Sequence, residues 1–160
     1  MHIPVRTDVR IHRSAVIAST IAALAALGAV PAHAASTEAA GTNTATAAGI
    51  CGSGYTQIDS HAFLDSTTEL GRVYLLYNAS TKSNCVVTLH SSSTSGFALP
   101  TGAWLDVDGD GKEQAKAQGT YSSYAGPVRL AAGGRCVKWG GMIEAGVGAY
   151  TFTSPWEHCG

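Results

Sequence analysis

A small all-β domain, an antiparallel β-sandwich or partly open barrel stapled by two disulfides, is what the sequence predicts, on three observations. Seven short runs rich in β-branched and aromatic residues are separated by Gly, Ser, Asn, Asp and Pro. In Val128-Arg129-Leu130 and Val137-Lys138-Trp139 a charge alternates with apolar neighbours. That is the pattern of a sheet with one wet and one buried face, and it favours antiparallel pairing. Finally, an even set of four cysteines, Cys51, Cys85, Cys136 and Cys159, lies downstream of an export-like N-terminus. In an oxidising compartment such a set reads as disulfides rather than as a thiol or zinc site.

The elements follow in chain order. Arg6, Arg10 and Arg13 precede an uncharged run from Ala15 to Val30, which ends near Ala32-His33-Ala34. The run has 16 residues, seven of them alanine, whereas a bilayer core takes about 20 helical residues. The reading is a Sec signal peptide over 1–34 with no membrane span after cleavage, and with the small side chains a signal peptidase needs at Ala32 and Ala34. Residues 35–49 hold no large apolar side chain and read as a disordered Ala/Thr/Ser-rich leader. Residues 50–160 form one β-domain, long enough to bury roughly 65% of its unfolded surface. From Ala35 onward seven Lys and Arg stand against ten Asp and Glu, a net charge of −3 with no basic stripe. Nucleic acid as a partner has no electrostatic support.

Strands are expected at Tyr55–Ser60, Val73–Tyr77, Cys85–His90, Ala103–Val107, Val128–Ala132, Cys136–Trp139 and Val147–Thr153. Ser66-Thr67-Thr68-Glu69 reads as a turn between two strands, and Asn78-Ala79-Ser80 as another. Gly133-Gly134 suits a two-residue hairpin turn, because glycine reaches positive φ without steric cost, so Val128–Trp139 is expected to be a hairpin. Lys112–Gln118 consists of strong helix formers before Gly119 but has nothing larger than alanine to bury. It reads as a loop with possible helical turns, which tertiary context could draw into an edge strand. If the first three strands form a meander, Cys51 and Cys85 share one sheet end. An antiparallel pairing of the Cys136 strand with Val147–Thr153 likewise brings Cys136 to Cys159. Cys51–Cys85 with Cys136–Cys159 is therefore the favoured of three connectivities.

Several blocks in this order resemble the spore-associated protein A family of secreted actinobacterial proteins. They are Cys51-Gly-Ser-Gly-Tyr55 with Ile58-Asp59-Ser60, Val73-Tyr74-Leu75 with Tyr77-Asn78, Asn84-Cys85-Val86-Val87, Ala103-Trp104-Leu105, Tyr124-Ala125-Gly126-Pro127-Val128 and Cys136-Val-Lys-Trp139-Gly-Gly141. The resemblance implies a small secreted protein linked to spores or the aerial growth surface, and it carries no catalytic mechanism onto these residues. The chain departs from the family pattern at Asp106–Gln118, where an acidic run enlarges a loop.

Local motifs point to chemistry only weakly. Asp106, Asp108 and Asp110 with Gly111 match the first half of a twelve-residue calcium loop, but the position of its closing Glu holds Ala117. The same residues are good turn formers, so no metal is expected, with calcium at this loop as the weaker reading. His61, His90 and His158 fit no zinc spacing. Ser53 lacks the Gly-x-Ser-x-Gly elbow, and Asp59 with Asp65 forms a carboxylate pair only by count. Trp104 and Trp139 lie in strands where burial is the default, which leaves Tyr121 and Tyr124 as the exposed aromatic pair for glycan contact. The expectation is a secreted, non-enzymatic protein of the spore or cell surface, without cofactor, whose partners are spore or cell-wall surface components. A carbohydrate-binding module for wall or extracellular polysaccharide is the alternative, and an inhibitor of an extracellular hydrolase the second.

Overall fold

The computed structural model describes residues 45–112 and 114–160. The signal peptide read over 1–34, residues 35–44 of the leader, and Glu113 lie outside the described residues. A short helix, α1 (Ala47–Cys51), precedes eight strands: β1 (Thr56–Asp65), β2 (Thr68–Asn78), β3 (Ser83–His90), β4 (Leu99–Val107), β5 (Ala115–Tyr121), β6 (Tyr124–Ala131), β7 (Val137–Ala145) and β8 (Gly148–Thr153). They form two four-stranded sheets, ordered β1-β2-β3-β6 and β5-β4-β7-β8, with antiparallel pairing throughout. The result is an open sandwich.

Alternation along the strands builds the interior. Val73, Leu75, Val86, Ala125 and Val128 of the first sheet meet Ala103, Leu105, Val107, Val137, Trp139 and Ile143 of the second. Their neighbours Leu76, Cys85 and Val87 are also fully buried, but on the outer face of the first sheet, under Ala47 and Cys51 of α1. Consecutive apolar residues such as Cys85-Val86-Val87 thus serve two separate cores, one on each side of β3.

α1 corrects the expected extent of the leader, since its first turn uses residues assigned to disorder. Thr46 caps it, its Oγ1 accepting from Gly49 N at 3.0 Å. A five-residue helix is not stable alone. Three contacts from the sheet hold it: the Cys51–Cys85 disulfide, Arg129 Nε donating to Cys51 O at 3.1 Å, and Arg129 Nη2 donating to Ile50 O at 2.9 Å. Arg129 is opposite Cys85 in the β3–β6 register, so staple and cap rise from neighbouring positions.

Two further expectations are corrected. Residues Ala115–Tyr121, within and beyond the stretch read as a loop with helical turns, form an edge strand paired with β4 from Leu99↔Tyr121 to Leu105↔Ala115. In that strand Ala115 and Ala117 pack on the core while Lys116 and Gln118 are exposed. Their period of two matches an edge strand, and it prevails because a helix here would bury nothing. Val128–Trp139 is not a hairpin either. β6 stays in the first sheet beside β3, whereas β7 lies in the second between β4 and β8. The glycine pair reverses the chain, with Gly133 at φ 39° and Gly134 at φ 82°. It does so between sheets, because β7 already has ladder partners on both edges and none left for β6.

Candidate functional site

The turns alternate between two ends of the sandwich, and the chemistry gathers at the end that carries both disulfides. At that end β1 bulges at Ile58, where the register skips from Gln57 to Asp59. Asp59 Oδ1 accepts from Ser60 N at 2.7 Å, leaving Oδ2 facing the C-terminal tail. The tail leaves β8 and returns along β7: Ser154 N–H donates to Trp139 O at 2.8 Å, and Val137 and Glu157 exchange both backbone hydrogen bonds. This register places Glu157 over the buried Trp139, whose indole Nε1–H donates to Oε1 at 2.6 Å. His158, at φ 53°, then turns its Nε2 to within 3.1 Å of Asp59 Oδ2 and 3.9 Å of Glu157 Oε1. Asp59, Glu157 and His158 each present a donor atom within 4.8 Å of the other two. The Cys136–Cys159 disulfide fixes the next residue of the tail to the start of β7.

A second feature lies on the outer face of the first sheet beside α1. Gln57, Glu69, Arg72, Tyr74, Leu89 and His90 line an open groove of about 450 Å³. Arg72 grips Glu69 with two hydrogen bonds of 3.1 and 2.7 Å, which raise the guanidinium pKa above its usual value. His90, at the end of β3 beside the groove, turns its ring away from it towards Thr101 of the second sheet. Its Nδ1 lies 3.2 Å from Thr94 O and its Nε2 2.8 Å from the Thr101 hydroxyl, which itself donates to Leu99 O at 3.0 Å. Burial lowers its pKa from 6.5, partly opposed by the Thr94 carbonyl, which favours the charged ring.

The folded state thus binds this proton less well than the unfolded chain. The His90 contribution is complete above the unfolded value near 6.5 and is lost as pH falls through the lower folded value. His90→Gln should accordingly melt below the wild type at pH 7.5, with the gap closing towards pH 5. A gap that is constant in melting curves across that range would contradict the assignment.

The other sequence candidates are dispersed. Asp59 and Asp65 stand six positions apart along β1, about 20 Å at roughly 3.3 Å per residue, and form no pair. Tyr121 and Tyr124 are half-buried rather than an exposed pair. They flank the tight β5–β6 connection, one packed on the core between the sheets and the other on the core under α1. Trp139 is buried, Trp104 half-buried, and Trp156 exposed with Lys138 Nζ 4.6 Å from its ring centre. Asp106, still in β4, accepts from Val107 N at 3.0 Å, and in the acidic turn Asp110 accepts from Lys112 N at 2.8 Å. Among the described residues these carboxylates do not converge as Asp59, Glu157 and His158 do. Millimolar calcium should therefore move the melting temperature no more than sodium chloride of equal ionic strength. A calcium-specific rise abolished by Asp108→Asn would reverse that conclusion.

Comparison with known proteins adds kinship to this geometry. Spore-associated protein A of Streptomyces coelicolor is 42% identical to the chain over 130 residues, 79% of each protein. The chain belongs to the spore-associated protein A family. No family model and no solved structure matches it. In this spore-associated protein A family member, sequence reasoning missed the trio at the disulfide end, because Asp59 and His158 are 99 positions apart. The one available signal was that Glu157-His158 adjoins Cys159, and hence a staple.

Proposed function

We propose that the protein is secreted and acts without catalysis at the spore or cell surface, held to spore or cell-wall surface components. The 42% identity to a protein named for its association with spores carries this reading. The N-terminal export pattern and the two disulfides suit an extracellular destination. The non-enzymatic part is supported by how two of the described histidines are engaged. His61 stacks on Phe152 at 4.0 Å, and His90 is held by Thr94 and Thr101. Antibody labelling of intact spores, with and without wall-degrading treatment, is the test. Surface label that the treatment releases is expected, and protein confined to the cytosol would refute the proposal.

Carbohydrate binding is a second reading, favoured by the groove beside α1. Half-buried Tyr74 adjoins the Arg72–Glu69 pair there, giving an apolar ring and fixed polar groups of the kind a sugar requires. A saturable pull-down on wall polysaccharide, weakened by Tyr74→Ala, would select it over a purely structural role.

A further inference from the structure

We propose that Asp59, Glu157 and His158 form a site for a divalent transition-metal ion of the zinc type, which clamps β1 to the C-terminal tail. The donor set is one imidazole nitrogen and two carboxylate oxygens, and the imidazole favours zinc-like ions over calcium and magnesium. A tetrahedral ion with bonds of about 2.0–2.2 Å needs donor atoms roughly 3.3–3.6 Å apart. Two of the separations, 3.1 and 3.9 Å, lie on either side of that value, and all three are within 4.8 Å. Small side-chain rotations bring the set to bonding geometry.

The surroundings are those of a prepared site. Metal-binding carboxylates are commonly oriented by hydrogen bonds from behind. Here the Ser60 amide holds Asp59 Oδ1 and the Trp139 indole holds Glu157 Oε1, leaving lone pairs on Asp59 Oδ2 and on both Glu157 oxygens for an ion. The backbone around the ligands is pinned by the Val137–Glu157 bridge and the Cys136–Cys159 disulfide. His158 and its neighbours are open to solvent on one side, so ion entry needs no opening of the fold and one coordination position remains for water or an anionic group. An ordinary His–Asp ion pair accounts for one contact of the cluster. It does not account for the convergence of Glu157 on the same point.

Since Asp59 and His158 are 99 positions apart, the ion binds the folded chain only and must stabilise it by mass action. The test uses the oxidised, full-length secreted chain with zinc, magnesium and calcium chlorides at pH 7.5. Calorimetric titration should give one zinc per chain, and zinc should raise the melting temperature by several degrees at about a hundredfold excess over Kd, with no comparable effect of the other two ions. Asp59→Asn and His158→Gln should each weaken zinc binding at least about tenfold, while His61→Gln leaves it unchanged. Either variant alone suffices if the other misfolds. A wild-type response to zinc no larger than to magnesium, or zinc binding that survives both substitutions, would overturn the proposal.

Discussion

Replacing Cys51 and Cys85 together by alanine lowers the free energy of unfolding by about 3.5–4 kcal/mol, the chain-entropy value for a loop closed across 34 positions. Both residues are buried, in the small core that joins α1 to the outer face of the first sheet, so the cavity left by two sulfur atoms adds to that loss. The helix then keeps its Arg129 and Thr46 contacts and the packing of Ala47 on the sheet, and residues 45–55 should lose protection from amide exchange before the sheets do. Urea denaturation of the double variant measures the total. A decrease below about 1 kcal/mol would mean that α1 is held mainly by Arg129 and that the staple contributes little.

Gly141→Ala has an effect of similar size from a different cause. Gly141 lies in β7 opposite Ala103, facing the other sheet, and a methyl group there would strike the Thr88 hydroxyl and come within 2.9 Å of Gly102 O and 3.1 Å of Val73 Cβ. Thr88 Oγ1 donates to Gly102 O at 2.7 Å, a fully buried hydrogen bond between the sheets. The added carbon both overpacks the interior and pushes apart that donor and acceptor, at a combined cost of about 3–5 kcal/mol. Gly109→Ala is the control. Gly109 sits in the acidic turn at φ 64° with open space around it, so alanine there carries only the left-handed backbone penalty of about 1 kcal/mol. If the two variants melt alike, the sheets are not in contact at Gly141 and the interior is looser than described.

Much of the strand inventory was legible because each strand carries its own signal. The stretches around Val73–Tyr77, Cys85–His90 and Ala103–Val107 have the β-branched and aromatic content, and the turns at Ser66-Thr67 and Asn78–Ser80 have the short polar side chains, that fix local geometry. Asn78 illustrates the second case: its Oδ1 accepts from Ser80 N, Ser80 Oγ and Thr81 N, a turn built from three neighbouring residues. β5 escaped because its alanines gave more weight to helix propensity than to their alternation with Lys116 and Gln118. The candidate site was almost wholly illegible. Asp59 was singled out for pairing with Asp65, yet its partners lie at the other end of the chain.

The sequence by itself determined the β class, the two-sided pattern of the strands, the turns, and the sheet ends at which the four cysteines lie. All of these depend on contacts between residues a few positions apart or on the up-and-down order of adjacent strands. Only the tertiary structure decided which strands share a sheet. Gly133-Gly134 can reverse the chain equally well within a sheet or between two, and the choice rests on the edges of β7, both of which are taken by β4 and β8. The same is true of the Asp59, Glu157 and His158 cluster. A bulge in β1 and a two-bond bridge from Glu157 to Val137 bring those groups together, and neither leaves a periodicity or a spacing in the residues that it positions.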